Sequence, residues 1–270
     1  MLFIFRKLRQ GLFKEVNVSR YIGYALGEII LIVVGILLAL QLNNWNDARK
    51  EQTTIKQYAR SLIQDLEQDL LMIGDIETQL ADIISRIELL GEYVRDKDLD
   101  DLSNLHLFTY TLNKPHRPYI WNRATIDELK GSGISGYIQN PELAEMISEY
   151  DAFTQHLDVD YVNDKAQFEK CTALAAQIVN YNYPNFYALR EKLLPLNNDR
   201  DYDFFETAEF KEAEAYPLSL LTNDINLIHE AVNNYNILVV YLRIRTDAEI
   251  PKLKDDIEAL IQLLNQTYFK

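Results

Sequence analysis

Residues 21–42 read YIGYALGEIILIVVGILLALQL, and no polar side chain interrupts the run from Ile29 to Leu40. As an α-helix these 22 residues cover about 33 Å at 1.5 Å per residue, enough to cross a hydrocarbon core. Tyr21 and Tyr24 stand at one end and Trp45 at the other, where amphipathic rings anchor a span at the two interfaces.

Charge orients this segment. Residues 1–20 carry Arg6, Lys7, Arg9, Lys14 and Arg20 against Glu15, a balance of +4, which leaves −18 on the rest of a chain whose net charge is −14. Short basic segments stay cytoplasmic. The expected order is therefore a basic amphipathic cytoplasmic tail (1–20), a transmembrane helix (21–45) and an extracytoplasmic helical domain (46–270). Arg49 and Lys50 weaken the asymmetry, but Asp47 and Glu51 surround them. A cleaved signal peptide is the competing reading. A long basic region, an apolar run of full span length and Gln41 at the would-be cleavage site count against it.

Two features of the span go beyond anchoring. Gly23, Gly27, Gly35 and Ala39 fall on one i, i+4 row, interrupted only by Leu31, and small residues so placed let a second helix approach closely. Glu28 lies seven residues inside Tyr21, about 10 Å along the helix. An ionisable group at that depth is costly, so it points to a pairing, proton-carrying or interface-reaching role.

Beyond the span, Gly (9) and Pro (7) are scarce in 270 residues, which favours few, long elements. No Gly or Pro lies between Gly35 and Gly74, so the membrane helix is expected to continue directly into the next one. Apolar residues recur from Ile55 through Leu62, Leu66, Ile73, Leu80, Ile87 and Leu90 to Val94 at about 3.5 residues per step, the period of a helix in a bundle or coiled coil. Asn140-Pro141-Glu142 opens a second long helix as cap, first-turn proline and first-turn acid, with an apolar face running from Leu143 to Ile178. A third is expected after Pro217 (Leu218, Leu221, Ile225 to Leu242) and a fourth over Ile250 to Leu264. Thr246-x-x-Glu249 resembles a capping box for the fourth, but Pro251 falls inside it, so a hairpin and one long kinked helix both stay open. The fold class is all-α: a transmembrane helix continuing into an antiparallel bundle of about four long helices. Residues 102–138 and 182–216 are the least regular stretches and the natural place for ligand or partner contacts.

Catalytic signatures fail one by one. Gly131-Ser-Gly133-Ile-Ser-Gly136 matches the dinucleotide-loop spacing, but it follows a polar helical segment (residues 125–130) rather than a strand, and reads as a connection between helices. His156-Leu-Asp158-Val-Asp160 gathers metal-ligand types at a spacing that does not put all three on one helical face, and reads as a solvated face. His106, His116 and His229 are scattered. Cys171 stands alone, which excludes an intrachain disulfide and a cysteine-based zinc cluster. The acidic balance disfavours nucleic acid. No catalytic residue, cofactor or metal ligand is expected.

Gly27-Glu28-Ile29, Val33-Val34-Gly35-Ile36, Ala39-Leu40-Gln41-Leu42 and Asn43-Asn44-Trp45-Asn46 resemble the membrane motif of a family of uncharacterised single-span proteins common in Bacteroidota. The likeness continues through residues 125–129, Gly133, Asn140, Glu142-Leu143 and Tyr150. It implies a helical protein of the bacterial inner membrane, with the outer domain periplasmic, and carries over no functional residue. The sequence thus leads to a membrane-anchored, non-enzymatic interaction or sensory module, partnered by the lipid bilayer and by itself or another membrane protein. An ion-coupled accessory subunit using Glu28 is the first alternative, and a periplasmic enzyme the second.

Overall fold

One helix, α1 (Val18–Val94), runs unbroken for 77 residues in the computed structural model, so the glycines at 74 and 91 are absorbed into helix. The structure describes residues 18–112, 118–133, 136, 138–193 and 204–269, with side chains from residue 22 onward except that of Tyr24. The expected basic tail, 1–20, lies almost wholly outside the described residues, as do His116 and the side chains of Tyr21 and Tyr24. The chain divides into two units, Met1–Gln57 and Tyr58–Lys270. All described regular structure is helical, as the all-α reading requires.

In the first unit, α1 exposes its apolar residues: Ile22, Leu26, Ile29 to Val34, Ile36 to Leu38, Leu40 and Leu42 are all open. The helix is long and apolar enough to cross a membrane.

The second unit has four legs that alternate in direction. The first is α1 from Tyr58 onward, where Leu62, Leu66, Ile73, Leu80, Ile87 and Leu90 are all at most 2% exposed. The periodic stripe is therefore the buried face. Chain reversal follows through a 3-10 turn (Leu99–Asp101). The second leg, α2 (Asn104–Thr111) and α3 (Ala124–Ser132), returns beside α1, with Ser103 bonded to Tyr93, Asn122 to Asp69 and Glu128 to Tyr58. Gly133, at φ 72°, closes α3 in the left-handed conformation that glycine adopts without strain. The third leg is α4 (Pro141–Ile178), capped as expected by Asn140, whose side chain accepts from the amides of Glu142 and Leu143 at 3.0 and 3.4 Å. Two short helices, α5 (Phe186–Leu193) and α6 (Ala208–Glu214), lie within the second irregular stretch.

The last leg departs from expectation at its start. It starts at Ile225 rather than after Pro217: Asp224 caps it by accepting from the amide of Asn226, while the Leu221 amide bonds the carbonyl of Ile178 and holds 218–224 off the helix. Helix α7 (Ile225–Ile244) then passes through a π turn (Arg245–Glu249) straight into α8 (Ile250–Tyr268). Of the two arrangements left open, the continuous one is found. Thr246 starts no helix; its hydroxyl bonds Asp247 instead. Pro251 explains the turn: it has no N–H for the carbonyl four residues back and its ring crowds that carbonyl, so the preceding turn widens to i, i+5 bonding, with Ile250 N–H on the Arg245 oxygen. Ile250, Leu253, Ile257, Leu260 and Leu264 of α8 are all buried, each contributing about 1.5–3 kcal/mol of transfer free energy. The leg runs antiparallel to α4, as Gln167 meets Asn234, Asp164 meets Arg245 and His156 meets Glu249.

Candidate functional site

Among the span residues singled out by sequence, those with described side chains are open to a neighbour. A side chain placed on Gly23, Gly27 or Gly35 would meet nothing within 4 Å, and Ala39, Glu28 and Trp45 are exposed. Just past the span, Asn43 donates to Asp47 at 3.0 Å, and Lys50 pairs with the same carboxylate at 3.6 Å. Helical geometry puts the four small residues on one side of α1, with no described side chain packed against the glycines.

Among the buried polar groups that join the legs, two clusters stand out, and neither was anticipated as a unit. The first joins α1, the strap before α3, and α4. Asp69 is fully buried and accepts the Asn122 amide at 2.9 Å, the Asn122 side-chain amide at 2.8 Å and the Tyr150 hydroxyl. One turn earlier, Asp65 accepts from the Thr125 amide at 3.2 Å. Asp65 thus supplies to α3 the cap that its own N-cap residue, Arg123, does not, at the positive end of the helix dipole, while Asp69 holds the strap residue Asn122 just before it. On the other side, Asp158 accepts from the Trp121 indole at 3.0 Å and from the Arg123 guanidinium at 2.8 Å. Burial, then the bond to Asp69, holds the Tyr150 phenol well above its ordinary range, so it stays a donor. With three neutral donors on one carboxylate, this cluster is chemically closed.

The second cluster lies where α4 meets the π turn. Arg245 is 7% exposed and reaches Asp164, which is fully buried, at 3.0 and 3.4 Å. The same guanidinium bonds Glu249 Oε2 at 2.6 Å and lies 3.3 Å from Asp160 Oδ2. His156 closes the group from the solvent side, with Nε2 at 3.1 Å from Asp160 Oδ2 and 3.4 Å from Glu249 Oε1. Of the trio noted in the sequence, His156 and Asp160 share a face at i, i+4, while Asp158 belongs to the other cluster. The ligand atoms of His156, Asp160 and Glu249 all lie within 4.8 Å of one another, close enough to hold a metal ion. Burial raises the Asp164 carboxyl above its usual range even though the Arg245 bonds pull it down. The Tyr119 phenol, buried beside these carboxylates, is raised by burial first and by Asp164 next.

Elsewhere, a cleft of about 410 Å³ opens between α2 and the segment after α6, lined by Ser103, Asn104, His106, Glu214 and Ser219 among others. His106 stacks on Tyr93 and Phe205, and burial lowers its pKa. Cys171 is buried, and that burial pushes its thiol up to about 12, which makes it inert.

No curated protein and no solved structure matches this chain. The segment from Glu28 to Gly133, which holds most of the apolar run, the carboxylates Asp65 and Asp69 and the strap they hold, matches a family of unknown function, DUF6090.

Proposed function

We propose that this protein is a membrane-anchored, non-enzymatic interaction module of the bacterial inner membrane, with a cytoplasmic N-terminus and a periplasmic helical body. The observation that carries the reading is α1 itself. A single helix bears exposed apolar side chains from Ile22 to Leu42 and then buries one apolar stripe in the body from Leu62 onward. Exposed apolar surface of that extent marks a membrane or partner contact, and its length suits lipid. The orientation rests on the +4 tail and the −18 remainder. The accessible row Gly23, Gly27, Gly35 and Ala39 supplies a face for a second helix, from another copy or from another membrane protein.

Crosslinking in native membranes tests the reading. A crosslinked species above the monomer, lost when Gly27 and Gly35 are replaced by Leu, is expected; monomer at every expression level would overturn it. Glu28 supports a second, ion-coupled reading, since it lies within the apolar run and makes no hydrogen bond or ion pair with a described side chain. Glu28→Gln separates the two: function lost with assembly intact supports coupling, while assembly lost supports pairing between helices.

A further inference from the structure

We propose that His156, Asp160 and Glu249 form a binding site for a divalent transition-metal ion, of the zinc class, at the junction of α4 and the π turn. Four observations converge.

The first is donor spacing. Two donors held at about 2.0–2.2 Å by one tetrahedral ion lie about 3.3–3.5 Å apart. His156 Nε2 stands 3.1 Å from Asp160 Oδ2 and 3.4 Å from Glu249 Oε1. Both nitrogen–oxygen separations are thus close to that spacing, and all three donor atoms lie within 4.8 Å of one another.

The second is charge. Asp160, Asp164 and Glu249 bring three negative charges into one largely buried place, and Arg245 supplies one positive charge. With a neutral imidazole the balance is two negative charges, which a divalent ion cancels. Asp160 Oδ2 is buried and takes no hydrogen bond, only the ion-pair contacts to His156 and Arg245.

The third is orientation by an outer layer. Arg245 binds Glu249 through Oε2, which leaves Oε1 turned toward His156. Asp164 in turn fixes the guanidinium from the buried side. Outer partners that lock ligand carboxylates in this way accompany built metal sites.

The fourth is access. The His156 side chain is 53% exposed, so the ligand farthest from the core lies at the mouth, and an ion can enter without unfolding the bundle. The π turn, a feature frequent at functional positions, carries both Arg245 and Glu249, which meet α4. One imidazole and two carboxylates suit zinc, manganese, cobalt or nickel rather than calcium, which takes six to eight oxygens, while magnesium retains most of its water.

Zinc chloride titrated calorimetrically into the full-length chain in detergent, after chelator treatment, is the test. One saturable ion per chain and a raised unfolding temperature are expected, with magnesium silent. His156→Ala and Glu249→Gln should each weaken zinc binding by about tenfold or more. Both variants should keep the helical circular dichroism of the parent; should one fail to fold, the other carries the comparison. His229→Ala, which removes an exposed imidazole elsewhere on α7, should bind as the parent does. The proposal is overturned by any of three results: no saturable binding up to about 1 mM zinc, parental affinity in His156→Ala, or loss of binding in His229→Ala.

Discussion

Asp69 and Asp164 are both carboxylates with no exposed surface, and the body treats them in opposite ways. Asp69 is met by neutral donors from two other legs, Asn122 and Tyr150, so its charge is spread over hydrogen bonds and nothing is left over. Asp164 is met by a cation, Arg245, which must also serve Asp160 and Glu249. The first arrangement works as a fastener: it pins the strap before α3 to α1 and α4. The second is an unbalanced charge cluster with an imidazole at its mouth. A buried charge satisfied by dipoles serves the fold, whereas a buried charge excess leaves room for a ligand.

Substitutions can break that comparison. The largest effect is expected for Arg245→Met, which strands the fully buried Asp164 without its cation and should cost about 3–5 kcal/mol in urea unfolding of the detergent-solubilised chain. A cost under about 1 kcal/mol would mean that Asp164 is satisfied by other groups. Asp69→Ala comes next. It removes the acceptor of three donors, two of them on Asn122, and should destabilise by about 2–3 kcal/mol while loosening the strap, read as faster amide exchange over residues 119–125. Equal exchange there would show that Asp158 and Asp65 suffice to hold it.

Tyr150→Phe is the mildest, at about 1–2 kcal/mol, and carries a pH signature. Because the folded phenol is held above its ordinary range of 10, the unfolded chain releases that proton first as pH climbs. The stability that Tyr150 contributes is thus complete below pH 10 and declines as pH rises beyond it. The variant should lose less stability per pH unit above 10 than the parent, and an identical alkaline slope would contradict the assignment.

Much of this architecture was written in periodicity. The stripe from Leu62 to Val94, the Asn140-Pro141 start and the α8 face from Ile250 to Leu264 are all where spacing puts them, because burying one apolar face is what a bundle helix must do. The polar clusters were written there too, in a less obvious form. Asp69 lies in step with Leu62, Leu66 and Ile73; Asp164 lies in step with Leu157, Tyr161 and Cys171; and Arg245 follows Leu238 and Leu242. A charged residue on a buried stripe signals a partner on the facing helix, yet spacing along one helix does not say which helix faces it. That is why His156 and Asp160 read as a solvated pair: Glu249, 89 residues further along, joins them only once α4 and the last leg lie antiparallel. The π turn was illegible for a related reason. Pro251 marks trouble for a helix, but whether the helix ends or widens depends on packing around it, and buried Leu242, Ile250 and Leu253 favour continuation.

Protease protection tests the proposed topology most directly. With protease added to intact spheroplasts, the account predicts that the body beyond Trp45 is trimmed away while an N-terminal fragment containing residues 21–42 stays with the membrane and resists alkaline carbonate. A body that survives until the cells are lysed, or a chain that carbonate releases whole, would contradict it.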